Sequence, residues 1–219
     1  MAEILLTLAI IGAVLGLTIP TLYSNVQQSQ FNAGDWTAYT MLSQAVEEIQ
    51  SNTGILHVGN NDGGNGLRND LCSVLQCISP VETWGQLLSA YSIPFLYYTA
   101  PGVGANDKSI VSYYAGVILS NGYFLTIASN SGCPNVGVGL NECGYLYVDI
   151  NGAAGPNTCG EDFLGFWVVL NNGVYSIVPM GSPNDTIYGP SGSGGNCSSS
   201  STVWPGCTYT RLFNPNGMP

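Results

Sequence analysis

Positive charge is nearly absent from this chain. Lys and Arg together number 3 among 219 residues, against 13 Asp and Glu, for a net charge of −10. Arg68, Lys108 and Arg211 stand far apart in the sequence. No basic stripe exists to displace counterions from a phosphate backbone, so nucleic-acid binding through a basic patch is excluded. A polybasic membrane-surface patch is excluded on the same ground. Charge of either sign is scarce, at 7% of residues, where an ordinary soluble domain has about 25%. Histidine occurs once, as His57, with no Ser or Cys nucleophile motif beside it on which a triad could be built. Glycine-rich phosphate loops and G-x-G-x-x-G turns are missing. So are the paired knuckles of structural zinc, the closest cysteine pair being Cys72-x4-Cys77. The acid pairs Glu47-Glu48 and Glu161-Asp162 are sequence neighbours, which do not converge on one substrate by themselves.

What the sequence does contain is apolar and aromatic. Hydrophobic residues make up 45% and aromatic residues 11%, enough for a packed core at this length. The 7 cysteines, at 72, 77, 133, 143, 159, 197 and 207, read as disulfides formed in an oxidising compartment. Locality favours the bridges Cys72–Cys77, Cys133–Cys143 and Cys197–Cys207, each closing a short loop with Gly, Pro or Ser in it, and leaves Cys159 over. Spacing alone leaves many other connectivities open.

The longest uncharged stretch opens the chain. Residues Ile4 to Leu22 form a nearly unbroken apolar run. As a helix rising about 1.5 Å per residue, it is just long enough for a bilayer core of roughly 30 Å. It lacks the basic flank and small-residue cleavage site of a secretory signal and carries an acid, Glu3, at its start. From Tyr23 to about Gln50 an amphipathic pattern continues the helix. Trp36, Tyr39, Leu42, Val46 and Ile49 recur at spacings of three and four, with Asp35, Glu47 and Glu48 off that stripe. The reading is one helix of about 50 residues, roughly 75 Å long. Its apolar half covers 1–24, its amphipathic half 25–53 packs on a domain, and a globular, β-rich part runs over 54–219. A carboxylate beside such a run needs a counter-charge. The first 34 residues hold no Lys or Arg, which leaves an α-amino group, of the same chain or of another. Gly12, Gly16, Thr18 and Pro20 weaken the helix locally, Pro20 by removing the hydrogen bond to the Gly16 carbonyl.

The segment Ala2-Glu3-Ile4-Leu5-Leu6-Thr7-Leu8-Ala9-Ile10-Ile11-Gly12, followed by Ile19-Pro20, resembles the N-terminal helix of type IV pilins and type II secretion pseudopilins. The early glutamate, the AIIG segment and the proline eight residues after its glycine carry the resemblance, which covers about the first 50 residues. Only Met1 and Ala2 precede the glutamate, fewer residues than the family has there. The resemblance implies an α+β, pilin-like fold: a long N-terminal helix with its hydrophobic half protruding, packed on a mostly antiparallel sheet. It implies a non-enzymatic subunit with no required cofactor that polymerises with itself, the pairing of Glu3 with the N-terminal ammonium of a neighbour's Met1 setting register. It further implies residence in the inner membrane, handling by pilus or secretion machinery there, and an extracellular filament or a periplasmic pseudopilus. The segment Gly12, Gly16, Pro20 is then expected to melt on leaving the membrane. Two other readings stay beside it: a minor, tip-located pilin-like adhesin for a surface or glycan, and a membrane-anchored extracytoplasmic enzyme.

In the globular part, GNNDGGNG at 59–66 reads as a loop, and Ser79-Pro80-Val81-Glu82 as a helix start running to about Ala90. Strands are expected at 110–119, 123–128, 145–150, 164–170 and 174–178, with hairpins at Ser120-Asn121-Gly122 and Asn171-Asn172-Gly173. The Gly/Ser/Pro/Asn-rich stretch 181–201 reads as an exposed loop. Between two of these strands lies D-x-N-G…GPN…G-x-D, which resembles a segment carried by many pseudopilin-like proteins. Asp149, Asn151 and Asp162 supply hard oxygens suited to Ca²⁺, and Gly152 permits a sharp turn. The other reading of these residues is an Asx turn capping its own backbone.

Overall fold

A computed structural model describes residues 2–58, 62–81, 115–130, 132–133, 141–152, 162–186, 189 and 207–213. The elements are α1 (Ala2–Thr53), α2 (Asn65–Val74), β1 (Cys77–Val81), β2 (Ala115–Leu119), β3 (Phe124–Ser129), β4 (Asn141–Asp149), β5 (Phe163–Asn171), β6 (Val174–Pro179) and α3 (Cys207–Phe213). All strands join one antiparallel sheet in chain order, β1 to β6. The second half of α1 lies across one face. The fold is therefore α+β, a long N-terminal helix on an antiparallel sheet.

Local chemistry accounts for the connections. The β5–β6 hairpin turns at Asn172 and Gly173, both with positive φ (51° and 83°), the primed geometry that suits the twist of paired strands. Both expected hairpins are present. α1 ends at Thr53, followed by Gly54 at φ 76° with its N–H on the Gln50 carbonyl at 2.8 Å. The Gln50 side chain then reaches β6, donating to the Gly173 carbonyl (3.0 Å) and accepting from the Tyr175 N–H (3.0 Å). It thus covers part of an open sheet edge with an amide.

The core sits between α1 and the sheet. Ala38, Leu42, Ala45, Val46 and Ile49 are buried against Leu125, Ile127, Leu146, Leu164, Phe166 and Val168. Gly34 lets the helix approach the β4 end closely, since a Cβ there would lie 2.8 Å from Ile150 Cδ1. The opposite sheet face is covered too. Trp167 Nε1 donates to Asp185 Oδ2 at 2.8 Å, and Tyr145 meets the Trp167 ring edge-on.

Several expectations need correction. Asp35 lies on the buried stripe and is 1% exposed, whereas Trp36 is 45% exposed. The inward face is thus rotated from the one hydrophobicity alone selects, because Arg211 neutralises Asp35 inside the fold. Ser79, Pro80 and Val81 belong to strand β1 rather than to a helix start; β1 is an edge strand, where Pro is tolerated. The expected helix beyond Val81 lies outside the described residues. The stretch from Gly181 is not an exposed loop at its start: Gly181, Ser182 and Asp185 are buried on the sheet. Helices α2 and α3 and the strand β1 add to the expected elements.

α3 ties the far end of the chain to the first helix. Arg211 Nε donates to Asp35 Oδ2 at 2.6 Å, with both side chains almost wholly buried. Thr208 Oγ1 accepts from the Gly165 N–H (2.8 Å), and the Tyr209 N–H donates to the Met180 carbonyl (3.0 Å). Phe213 packs edge-on against Trp36 (5.4 Å) and Tyr39 (5.8 Å).

Removing one member of a buried pair strands the other charge, at a cost of about 3–5 kcal/mol. Arg211→Met is therefore expected to destabilise the detergent-solubilised full chain by that order in denaturant unfolding. The double variant Asp35→Leu/Arg211→Met should regain most of the loss, because an apolar pair leaves no uncompensated charge.

Candidate functional site

Among the described residues the first half of α1 is packed on no other element. Every described side chain from Ile4 to Leu22 is exposed, including Ile4 (63%) and Leu17 (77%). Such apolar exposure in water calls for lipid or protein around it. The helix is long and apolar enough to cross a membrane, with a mean hydropathy of 1.7 in its most apolar window. Glu3 lies in its first turn, and Met1 lies outside the described residues. In the isolated chain α1 runs unbroken through Gly12, Gly16 and Pro20. Thr18 and Thr21 hydroxyls bond back to the Val14 (2.9 Å) and Leu17 (3.2 Å) carbonyls. Gly12 and Gly16 have open space where a Cβ would sit.

The acidic loop forms where β4 and β5 meet at Asp149 and Phe163. Asp149, Asn151 and Asp162 come together there. Asp149 Oδ1 accepts from the Asn151 N–H at 3.1 Å, an Asx turn, and Asn151 Nδ2 donates to Asp162 Oδ2 at 2.9 Å. The Ile150 N–H donates to the Asp162 carbonyl at 2.9 Å. Gly152 has φ 61°, and a Cβ there would fall 2.6 Å from the Gly122 carbonyl oxygen, so the turn requires glycine. Burial, reinforced by the Asp162 charge, pushes the Asp149 carboxyl up to about 8, against the pull of the Asn151 and Gly152 amides. The donors are hard oxygens on two carboxylates, yet Asn151 presents an N–H to Asp162, in the place a cation would take. Among the described residues no group of three or more His, Cys, Asp or Glu is arranged to hold a metal. Residues 153–161, including Cys159 and Glu161, lie outside the described residues.

Other acids are buried as well. Burial also raises Asp35, to about 6, despite the adjacent Arg211 guanidinium. Glu142, 2% exposed, accepts from Asn130 Nδ2 at 2.6 Å, and burial with the Asp185 charge lifts it to about 7. Nothing in the sequence singled out Glu142, Asp185 or the Asp35–Arg211 pair. Their partners lie 12, 18 and 176 residues away, beyond the reach of any local pattern.

The disulfides Cys72–Cys77 and Cys133–Cys143 are formed as expected. Cys207 is disulfide-bonded too, while Cys159 and Cys197 both lie outside the described residues. His57 is exposed, with Nδ1 2.8 Å from Asp70 Oδ1. Comparison with protein-family models, curated proteins and solved structures finds no match to this chain.

The raised carboxyls set the sign of the pH dependence. Each binds its proton more tightly in the folded state than at the ordinary values of 3.8 (Asp35, Asp149) and 4.5 (Glu142). Their ionisation therefore opposes folding, and stability should rise as pH falls through about 8, 7 and 6, down to near pH 4.5. Thermal unfolding in chelator-containing buffer should give a Tm higher at pH 5 than at pH 8, on the order of 5 °C. The Glu142→Gln variant should keep only part of that slope.

Proposed function

We propose that the chain is a structural subunit that polymerises through α1 into a type IV pilus or a pseudopilus. One observation carries the reading: residues 4–34 contain no charged residue, and the described side chains from Ile4 to Leu22 are all exposed. Apolar area of that extent is stable in only two settings, a bilayer and a bundle of like helices. A subunit drawn from one into the other uses both. Before assembly α1 anchors the chain in the inner membrane, with Tyr23 (70% exposed) just past the apolar run, at the level where aromatic residues meet headgroups. After assembly the globular part lies outside the membrane, in line with its disulfides.

Glu3 gives the assembly its register. In a bundle of apolar helices its carboxylate is tolerated only beside a cation, and the terminal ammonium of a neighbouring copy is the cation at the same end. Gly12, Gly16 and Pro20 form the segment that yields once helix packing replaces lipid. The missing Pro20 N–H already removes one hydrogen bond there.

Glu3→Ala is expected to abolish or greatly reduce filaments in sheared surface fractions viewed by electron microscopy. The variant should keep the Tm of the parent chain in detergent. Abundant normal filaments from the alanine variant would overturn the reading.

For the acidic loop, we propose that Ca²⁺ can stand as counter-charge to Asp149 and Asp162, with the Asn151 amide turned to offer its oxygen. Added Ca²⁺ should then raise Tm at pH 7, a chelator should reverse it, and Asp149→Asn should be insensitive. An unchanged Tm in the parent chain would leave the Asx turn and the hydrogen bonds to Asp162 to hold the described ends of the loop without a cation.

A further inference from the structure

The outward face of α1 over the globular part is uncharged as far as Val46, short of the exposed Glu47 and Glu48, and it carries a knob and borders a hole. Ser29, Ala33, Trp36, Thr37, Thr40 and Gln44 form its exposed stripe, small or polar but neutral. The one acid of that region, Asp35, is turned inward and held by Arg211. As a result no charged side chain reaches the α1 surface between Ile4 and Val46. The knob is Trp36, 45% exposed and braced edge-on by Phe213, itself 46% exposed. The hole is a groove of about 420 Å³ between α1 and the end of α2, lined by Met41, Gln44, Ala45, Glu48, Val74 and Leu75 among others.

We propose that Trp36 of one copy seats in the α1–α2 groove of the next copy. This rests on the assembly reading above and names its contact outside the apolar half of the helix. Charge selects a second copy as the occupant. A chain of net charge −10 repels its like except where surface charge is absent. The neutral stripe around Trp36 is such a place, so the Glu48 of the groove meets an uncharged partner, and the stripe continues the apolar run that brings copies side by side. Small residues on the stripe permit close helix approach. The groove suits an indole: Met41, Val74 and Leu75 offer apolar walls, and Gln44 and Glu48 offer oxygens to its N–H.

Knob and hole adjoin, since Thr37, Thr40 and Gln44 of the stripe also line the groove, but Trp36 itself is not part of that lining. At about 100° per residue the α1 residues of the groove lie roughly 40–180° around from Trp36, and their centre is offset along the helix by about 10 Å. Between copies whose α1 helices run parallel, as anchoring in one membrane sets them, the contact cannot be reciprocal; it is heterologous and repeats into an open helical array unless the rotation closes. The geometry thus fits a filament, with neighbouring copies staggered axially by about 10 Å for parallel helices.

The test places the photo-crosslinker p-benzoylphenylalanine at position 36 in cells that make the filament. Ultraviolet light should yield dimers whose crosslinked peptides contain Met41–Glu48 or Val74–Leu75 of the partner copy. Crosslinks confined to other segments, in filaments that form normally, would overturn the proposal while leaving assembly standing. Hydroxyl-radical footprinting of the unsubstituted chain removes any dependence on that variant folding. Trp36 oxidation should slow severalfold in filaments relative to detergent-held monomer, and equal rates would overturn the proposal. Failure of the parent chain to form filaments would overturn the assembly reading and this contact with it.

Discussion

The buried pair between Asp35 and Arg211 is the constraint on which the arrangement of this molecule depends. Its members come from the first and last described helices, α1 and α3, so the pair joins opposite ends of the chain. Both side chains are almost wholly buried, where an unpaired charge of either sign would be costly. The pair therefore holds α1 in one rotational setting. Ala38, Leu42, Ala45 and Ile49 follow Asp35 inward, and Trp36 is forced outward onto Phe213. The Thr208–Gly165 and Tyr209–Met180 hydrogen bonds fix α3 to the sheet, so the setting of the helix is transmitted to the whole domain.

The same scarcity of cations shapes the remaining acids. Asp35, Glu142, Asp149, Asp162 and Asp185 are all buried, and Arg211 is the only buried cation among the described residues. Neutral N–H groups take the place of cations. Asn151 Nδ2 serves Asp162, backbone amides serve Asp149, Asn130 Nδ2 serves Glu142, and Trp167 Nε1 with the Gly181 N–H serves Asp185. Hydrogen-bonded in this way, a buried carboxylate is tolerated, but several are pushed toward the neutral form. A chain rich in Asn and Gly and poor in Lys and Arg is suited to this arrangement. Amides and open backbone are its main supply of donors.

Surface and interior are thereby linked. Because Asp35 is consumed inside, the outer surface of α1 stays neutral well beyond its apolar half. A helix that left this acid outside would carry a negative charge midway along its exposed stripe. The buried pair thus does two things: it anchors the domain to the helix and keeps the helix face free of charge as far as Val46.

The apolar run at 4–22, the single long helix, the antiparallel sheet and both hairpins were determined by the sequence itself. Each is a local pattern: continuous hydrophobicity, a three–four repeat, alternation, or Asn-Gly turn chemistry. Two short disulfide loops belong to the same class. Long-range partners decided the rest. The rotation of α1 required Arg211, 176 residues away. The burial of Gly181, Ser182 and Asp185 required Trp167 on the outer sheet face. Residues 79–81 carry helix-start chemistry, yet β2 recruited them as an edge strand. In each case a local preference worth about a kcal/mol was overridden by a buried charge, a ring or a strand ladder, whose partner no short window of sequence contains.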